Sequence, residues 1–172
     1  MKLNDLKELA NRVFADIRNK AKEKGVEQIE IAIQYDISGH NLAEELDWSP
    51  DDPIIAASSD NESPAWEARR KIVYAREVFE TNYRFHPSDD LMDYSSEASS
   101  SEFKPTSGGL YFPIGYVAGG CPRRWYTEVY VGVGVHTGNP EVDKRLAIVG
   151  ARAVSGYFGE NGFLAPEIFC VE

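Results

Sequence analysis

From Thr127 to His136 the chain alternates strictly between two kinds of position. Thr127, Val129, Val131, Val133 and Val135 fall on one side, and Glu128, Tyr130, Gly132, Gly134 and His136 on the other. That two-residue period predicts a strand with a valine face in the core. The opposite face carries Gly132 and Gly134 at strand spacing, a bare patch of backbone open to close approach by a helix, a ligand or a second subunit. The period then changes. Asn139 suits an N-cap, Pro140 the first helical position, and Glu141 complements the positive helix end. Val142, Leu146, Val149, Ala153 and Tyr157 form the apolar stripe of the helix that follows.

The same reading extends to the remaining chain. Asn4 to Lys24 predicts a helix with Leu6, Leu9, Val13, Ile17 and Ala21 on one face, closed by Gly25. Gln28 to Asp36 predicts a strand with Ile29, Ile31, Ile33 and Tyr35 inward, and Glu30, Ala32, Gln34 and Asp36 outward. Ser38-Gly39 signals a turn, and His40 to Leu46 is expected to return as a second strand. Residues 47–63 form an acidic, proline-bearing loop with one short element at Ile54 to Ala57.

Ser63-Pro64 opens a helix to about Tyr83 that buries Ala65, Ala68, Ile72, Ala75 and Phe79. A short third helix is expected after Ser88-Asp89-Asp90, before a serine-rich loop at 95–107. Leu110 to Tyr116 predicts a strand whose Pro113 argues for an edge or a bulge. A glycine-bearing loop at 117–124 and an apolar tail at 159–172 complete the chain. The element order is α-β-β-α-α-β-β-α, an α+β fold with helices on an antiparallel sheet.

At 172 residues and 42% hydrophobic content, the chain suits a single domain over 1–172. The 28 acidic against 18 basic residues leave a formal charge of −10, a field that repels nucleic-acid backbones. No apolar run reaches the roughly 18 residues of a membrane span. The start, MKLNDLKELANRVF, reads as amphipathic helix rather than signal peptide, so a cytoplasmic location is expected. Two cysteines, Cys121 and Cys170, do not make a disulfide scaffold.

Four stretches together resemble the GlcG/HbpS-like family, often labelled a haem-degrading or haem-binding domain. They are KEKGVEQIEIAIQYD at the end of the first helix, the turn Asp36-Ile37-Ser38-Gly39-His40-Asn41-Leu42, the run Gly108-Gly109-Leu110-Tyr111-Phe112-Pro113-Ile114, and the segment from Val131 to Asp143. In that last segment His136 stands where the family often has serine. The resemblance spans nearly the whole chain. It implies a profilin-like or PAS-like sandwich that assembles as a homo-oligomer and binds a small molecule or haem.

Candidate chemistry divides between two functions. In a small-molecule or haem-binding module, the pocket would lie between Gly132 and Gly134, the turn at His40 and the helix at 63–83, with Arg123 or Arg124 pairing with haem propionates. His40 or His136 would then be the iron ligand. Both also suit ordinary turn histidines. In an enzyme on the same scaffold (an isomerase, cyclase or lyase), His136, Glu128 and Tyr130 would act as acid and base. A third reading is an assembly protein in which a second subunit covers the glycine face. No nucleic acid or membrane partner is expected in any of these.

Overall fold

A computed structural model describes residues 1–82, 108–117, 125–166 and 168. Its elements are α1 (Leu3–Glu23), β1 (Glu30–Ile37), α2 (His40–Leu46), β2 (Ile54–Ser59), α3 (Trp66–Asn82), β3 (Gly109–Val117), β4 (Trp125–His136) and α4 (Pro140–Glu160). The strands form one antiparallel sheet in the order β2-β1-β4-β3. Among the described residues, no helix is long and apolar enough to cross a membrane.

The sheet is covered on both faces. On one, Ile31, Ile33 and Tyr35 of β1 join Val129, Val131, Val133 and Val135 of β4, all wholly buried. Helices α1 and α4 close over them. The side chains of Ile17, Val13 and Val133 crowd around Gly150 of α4, where an added Cβ would stand 2.8 Å from Ile17 Cδ1. The glycine is what lets the two helices and the sheet meet so closely. α4 is rotated from the expected stripe. Leu146, Ala147, Ala151, Val154 and Phe158 are its deep positions, while Val142, Val149, Ala153 and Tyr157 are only partly buried. A helix packed on both a sheet and a neighbouring helix needs an apolar arc wider than one stripe. Its cap follows the sequence signal, with Asn139 accepting from the amides of Glu141 and Val142 and Pro140 in the first turn.

On the other face α3 crosses the sheet directly over the glycines. A Cβ on Gly134 would collide with the Ala68 carbonyl, and one on Gly132 with Ile72. Small residues on both partners, with Ala65, Ala68 and Ala75 on the helix side, are buried in the contact. α3 starts at Trp66, two residues after Pro64, because Ala65 takes a left-handed conformation with φ 55° just before it.

Residues His40–Leu46, expected as a hairpin strand, are instead the helix α2. Leu42, Ala43 and Leu46 are buried at helical spacing, and the Glu128 carboxylate accepts the Leu42 amide at 3.1 Å. The second strand is supplied by the short apolar element at 54–59, which pairs with β1 from Glu30↔Ser59 to Tyr35↔Ile54. β3 lies at the sheet edge with a register shift between Ile114 and Gly115, as Pro113 suggested. The tail folds back on its own chain. Leu164 and Gly115 exchange both backbone hydrogen bonds at 2.7 and 3.0 Å, and Phe163 is buried. The short helix expected after Ser88, the serine-rich loop at 95–107, and Cys121, Arg123, Arg124 and Cys170 lie outside the described residues.

Candidate functional site

The register of β1 and β4 decides which side chains share a site. Glu30 lies opposite His136, and Ile37 opposite Val129. His136 and Glu128 are eight residues apart on one strand, roughly 27 Å at the usual rise. The expected acid–base set of His136, Glu128 and Tyr130 is therefore not brought together. Glu128 is buried at the far end of the sheet, where its carboxylate takes the Leu42 amide and Asn41 Nδ2 and its carbonyl takes the amides of Ser38 and Gly39. It is the anchor of α2. A side chain at Gly39 would strike that carboxylate, which is why the turn carries glycine.

Tyr130, six residues from His136 and so roughly 20 Å away, stacks on Tyr111 with centroids 5.7 Å apart and meets Phe79 edge-on at 5.8 Å. Burial pushes its hydroxyl above the usual phenol range. Tyr111 is shifted up as well, first by burial and then by donating at 2.5 Å to Asp36. These rings pack the end of α3 onto the sheet. His40, the first residue of α2, is solvent-exposed and lies at the Glu128 end. It shares no pocket with His136. Gly132 and Gly134 are closed to any ligand by Ile72 and Ala68 of the protein's own α3. That covering also removes the glycine face as a subunit interface.

What the structure does assemble is a cleft of about 360 Å³ at the other end of the sheet. It lies where β1 begins, β4 ends and α3 starts, and His136 and Thr137 line it with Gln28, Ile29, Glu30, Asp60, Asn61, Ser63, Trp66 and Glu67. Glu30 is 6% exposed, and its Oε1 accepts from Ser63 Oγ at 2.6 Å. Trp66 stands on the rim, 57% exposed, with the Arg69 guanidinium 4.8 Å from its ring. Asp60 is fixed by Arg18 at 2.5 Å and the Ile29 amide at 2.9 Å. Burial raises its carboxyl, but those hydrogen bonds, with Arg18 and Lys22 nearby, together hold it below the usual carboxylate range.

Behind His136 lies a buried ion pair. Asp143 Oδ2 accepts from Lys71 Nζ at 2.5 Å, and its Oδ1 takes the Thr137 amide and hydroxyl at 2.8 and 2.5 Å. Lys71 also donates to the Val135 carbonyl at 2.9 Å. α3, β4 and the start of α4 are thereby locked together under the cleft floor. Gly108, at φ 92°, passes close enough that a Cβ would stand 2.6 Å from that of Asp143. His136 Nδ1 is buried without a partner, 3.9 Å from Asp143 Oδ2 and too far for a hydrogen bond.

The sequence reading singled out His136 but not Glu30, Ser63 or Trp66. Glu30 had a signal: it is an acid at the start of a strand whose alternate positions are outward. Its pairing with His136, 106 positions away in the chain, has no local trace. No family model, curated protein or solved structure matches this chain.

The residues of the cleft do not suit haem. Haem needs a broad apolar slot and cations for its propionates, whereas the described lining residues include three carboxylates and no lysine or arginine. Among the described residues, no group of three or more His, Cys, Asp or Glu side chains is arranged to hold a metal ion.

Proposed function

We propose that this protein is a small-molecule-binding module whose ligand occupies the cleft between Glu30, His136 and Trp66. One observation carries the reading. A buried carboxylate and an imidazole on neighbouring strands face the same cleft under the first turn of α3. Polar groups withdrawn from water yet turned toward an open volume are the ordinary makings of a binding site. The resemblance to GlcG/HbpS-like proteins supports a small ligand on this scaffold, with haem set aside for the reasons just given. The enzyme reading loses two of its three residues, since Glu128 and Tyr130 are tied up at the other end of the sheet.

The test is a screen of small polar metabolites by thermal shift, with hits mapped by amide chemical-shift perturbation. Binding should move the resonances of Ile29–Ile31, the Trp66 indole and His136–Thr137, and His136→Ala should weaken it. Hits that all map elsewhere, or no hit at all, would sink the reading.

A further inference from the structure

The chemical class of the ligand can be narrowed from the charges around the cleft, and this step rests on the binding reading above. Glu30 is nearly inaccessible, yet among the described residues its carboxylate receives only the Ser63 hydroxyl. A carboxylate taken out of water is normally matched by a cation or by several donors. The cations nearby are committed elsewhere. Arg18 is held by Asp60 and Ser58 at 2.5 and 2.8 Å. Lys71 is held by Asp143 at 2.5 Å, and Arg70 reaches Glu67 at 3.3 Å. Arg69 lies over Trp66 on the outer rim.

Glu30 Oε2 is neither hydrogen-bonded to a described residue nor among the fully enclosed orphan atoms. Glu30 itself is one of the residues that line the cleft. The walls around it carry an exposed indole, together with Asp60 and Glu67, which are already paired with Arg18 and Arg70. The Arg69 guanidinium takes one face of that indole, 4.8 Å from its centre, so a ligand would meet the ring at its other face or its edge. No lysine or arginine is among the described lining residues to receive a phosphate or carboxylate.

We infer that the cleft takes an ammonium group: its ligand is a small organic amine in the charged form, with Glu30 as counter-ion, Trp66 against the alkyl-ammonium and His136 as a hydrogen-bonding neighbour. The net charge of −10 adds a general attraction for such cations. The specificity comes from Glu30, a buried acid to which no described residue brings a cation.

The probe is n-butylamine, titrated at constant ionic strength beside 1-butanol and butyrate as neutral and anionic isosteres, and followed by amide and indole chemical shifts. The expected result is saturable binding of the amine alone, centred on Glu30, Trp66 and His136. Glu30→Gln should lower the affinity about tenfold or more, as loss of a desolvated charge partner does. Trp66→Ala, a change at an exposed position, should lower it about two- to fivefold. It also serves as the second test should Glu30→Gln fold poorly.

Equal occupancy by butanol or butyrate would overturn the ammonium assignment while leaving the pocket in place. Shifts that spread over the acidic surface without saturating, and are unchanged by either substitution, would overturn it as non-specific attraction. No cleft response to any of the three probes overturns the ammonium assignment. If the metabolite screen is also silent, the pocket reading falls with it.

Discussion

The hydroxyl of Tyr35 is buried without a hydrogen-bond partner, on a ring that packs tilted against Phe158 at 6.4 Å. Burial, with a smaller effect of Tyr157, pushes its ionisation well above the usual phenol range. A buried donor with no acceptor carries its full desolvation penalty, about 1–3 kcal/mol. Tyr35→Phe should therefore raise stability, by about 1 kcal/mol in urea unfolding, since the ring stays in place. A loss of stability would mean that the hydroxyl has a partner.

The opposite case is Lys71. Its ammonium and Asp143 are 16% and 2% exposed, and they hold three elements together. Lys71→Met leaves the carboxylate buried with only Thr137 to receive it. The expected cost is about 3–5 kcal/mol. A double-mutant cycle with Asp143→Asn should return part of that loss, because the stranded charge is gone.

At the scale of elements, Gly134 of β4 and Gly156 of α4 are glycines of opposite kinds. Gly134 lies under the Ala68 carbonyl, so Gly134→Ala must push α3 off the sheet. A cost of about 1–3 kcal/mol or more is expected, with the Trp66 and His136 resonances moved as well. Gly156, in an exposed turn of α4, has open space where a Cβ would go. There Gly156→Ala should stabilise by about 0.5–1 kcal/mol through helix propensity alone. Chemical unfolding of both variants checks the contrast.

The pattern of small residues also marks what could be read from the chain. Strict alternation exposed the valine core, and Gly132 and Gly134 announced a close approach, although only the structure shows that the visitor is α3. The segment at 40–46 was misread because a strand and one amphipathic turn look alike over seven residues. What makes it helical is Glu128, whose bond to Leu42 spans 86 positions. The cleft was half legible for the same reason. His136 stood out beside a turn, whereas Glu30, Ser63 and Trp66 join it only through the β1–β4 register and the landing point of α3.

Across the whole molecule, the dependence of stability on pH should show two limbs with different owners. On the acid side stands Asp60, where Arg18 of α1 and the Ile29 amide meet the end of β2. Its folded-state pKa is lowered, so its contribution is complete above the unfolded value, about 3.9 for Asp. That contribution is lost as pH falls through the lower folded value. Asp60→Asn should weaken the protein at pH 7 and make the profile less steep below about pH 4.

On the alkaline side, Tyr111 is raised by burial and by its bond to Asp36. Its contribution is fully present below the unfolded phenol value of about 10 and disappears as pH rises through the folded one. Tyr111→Phe should make that limb less steep, the rest of the slope belonging to Tyr35, Tyr130 and Tyr157, which burial also raises. Urea midpoints measured from about pH 3 to pH 11 separate the two effects. If Asp60→Asn changes only the acid limb, the Asp60 corner beside the cleft and the aromatic end near Asp36 act as independent supports of one sheet. If Asp60→Asn altered the alkaline limb as well, the two ends would be coupled through α3, the helix that runs between them.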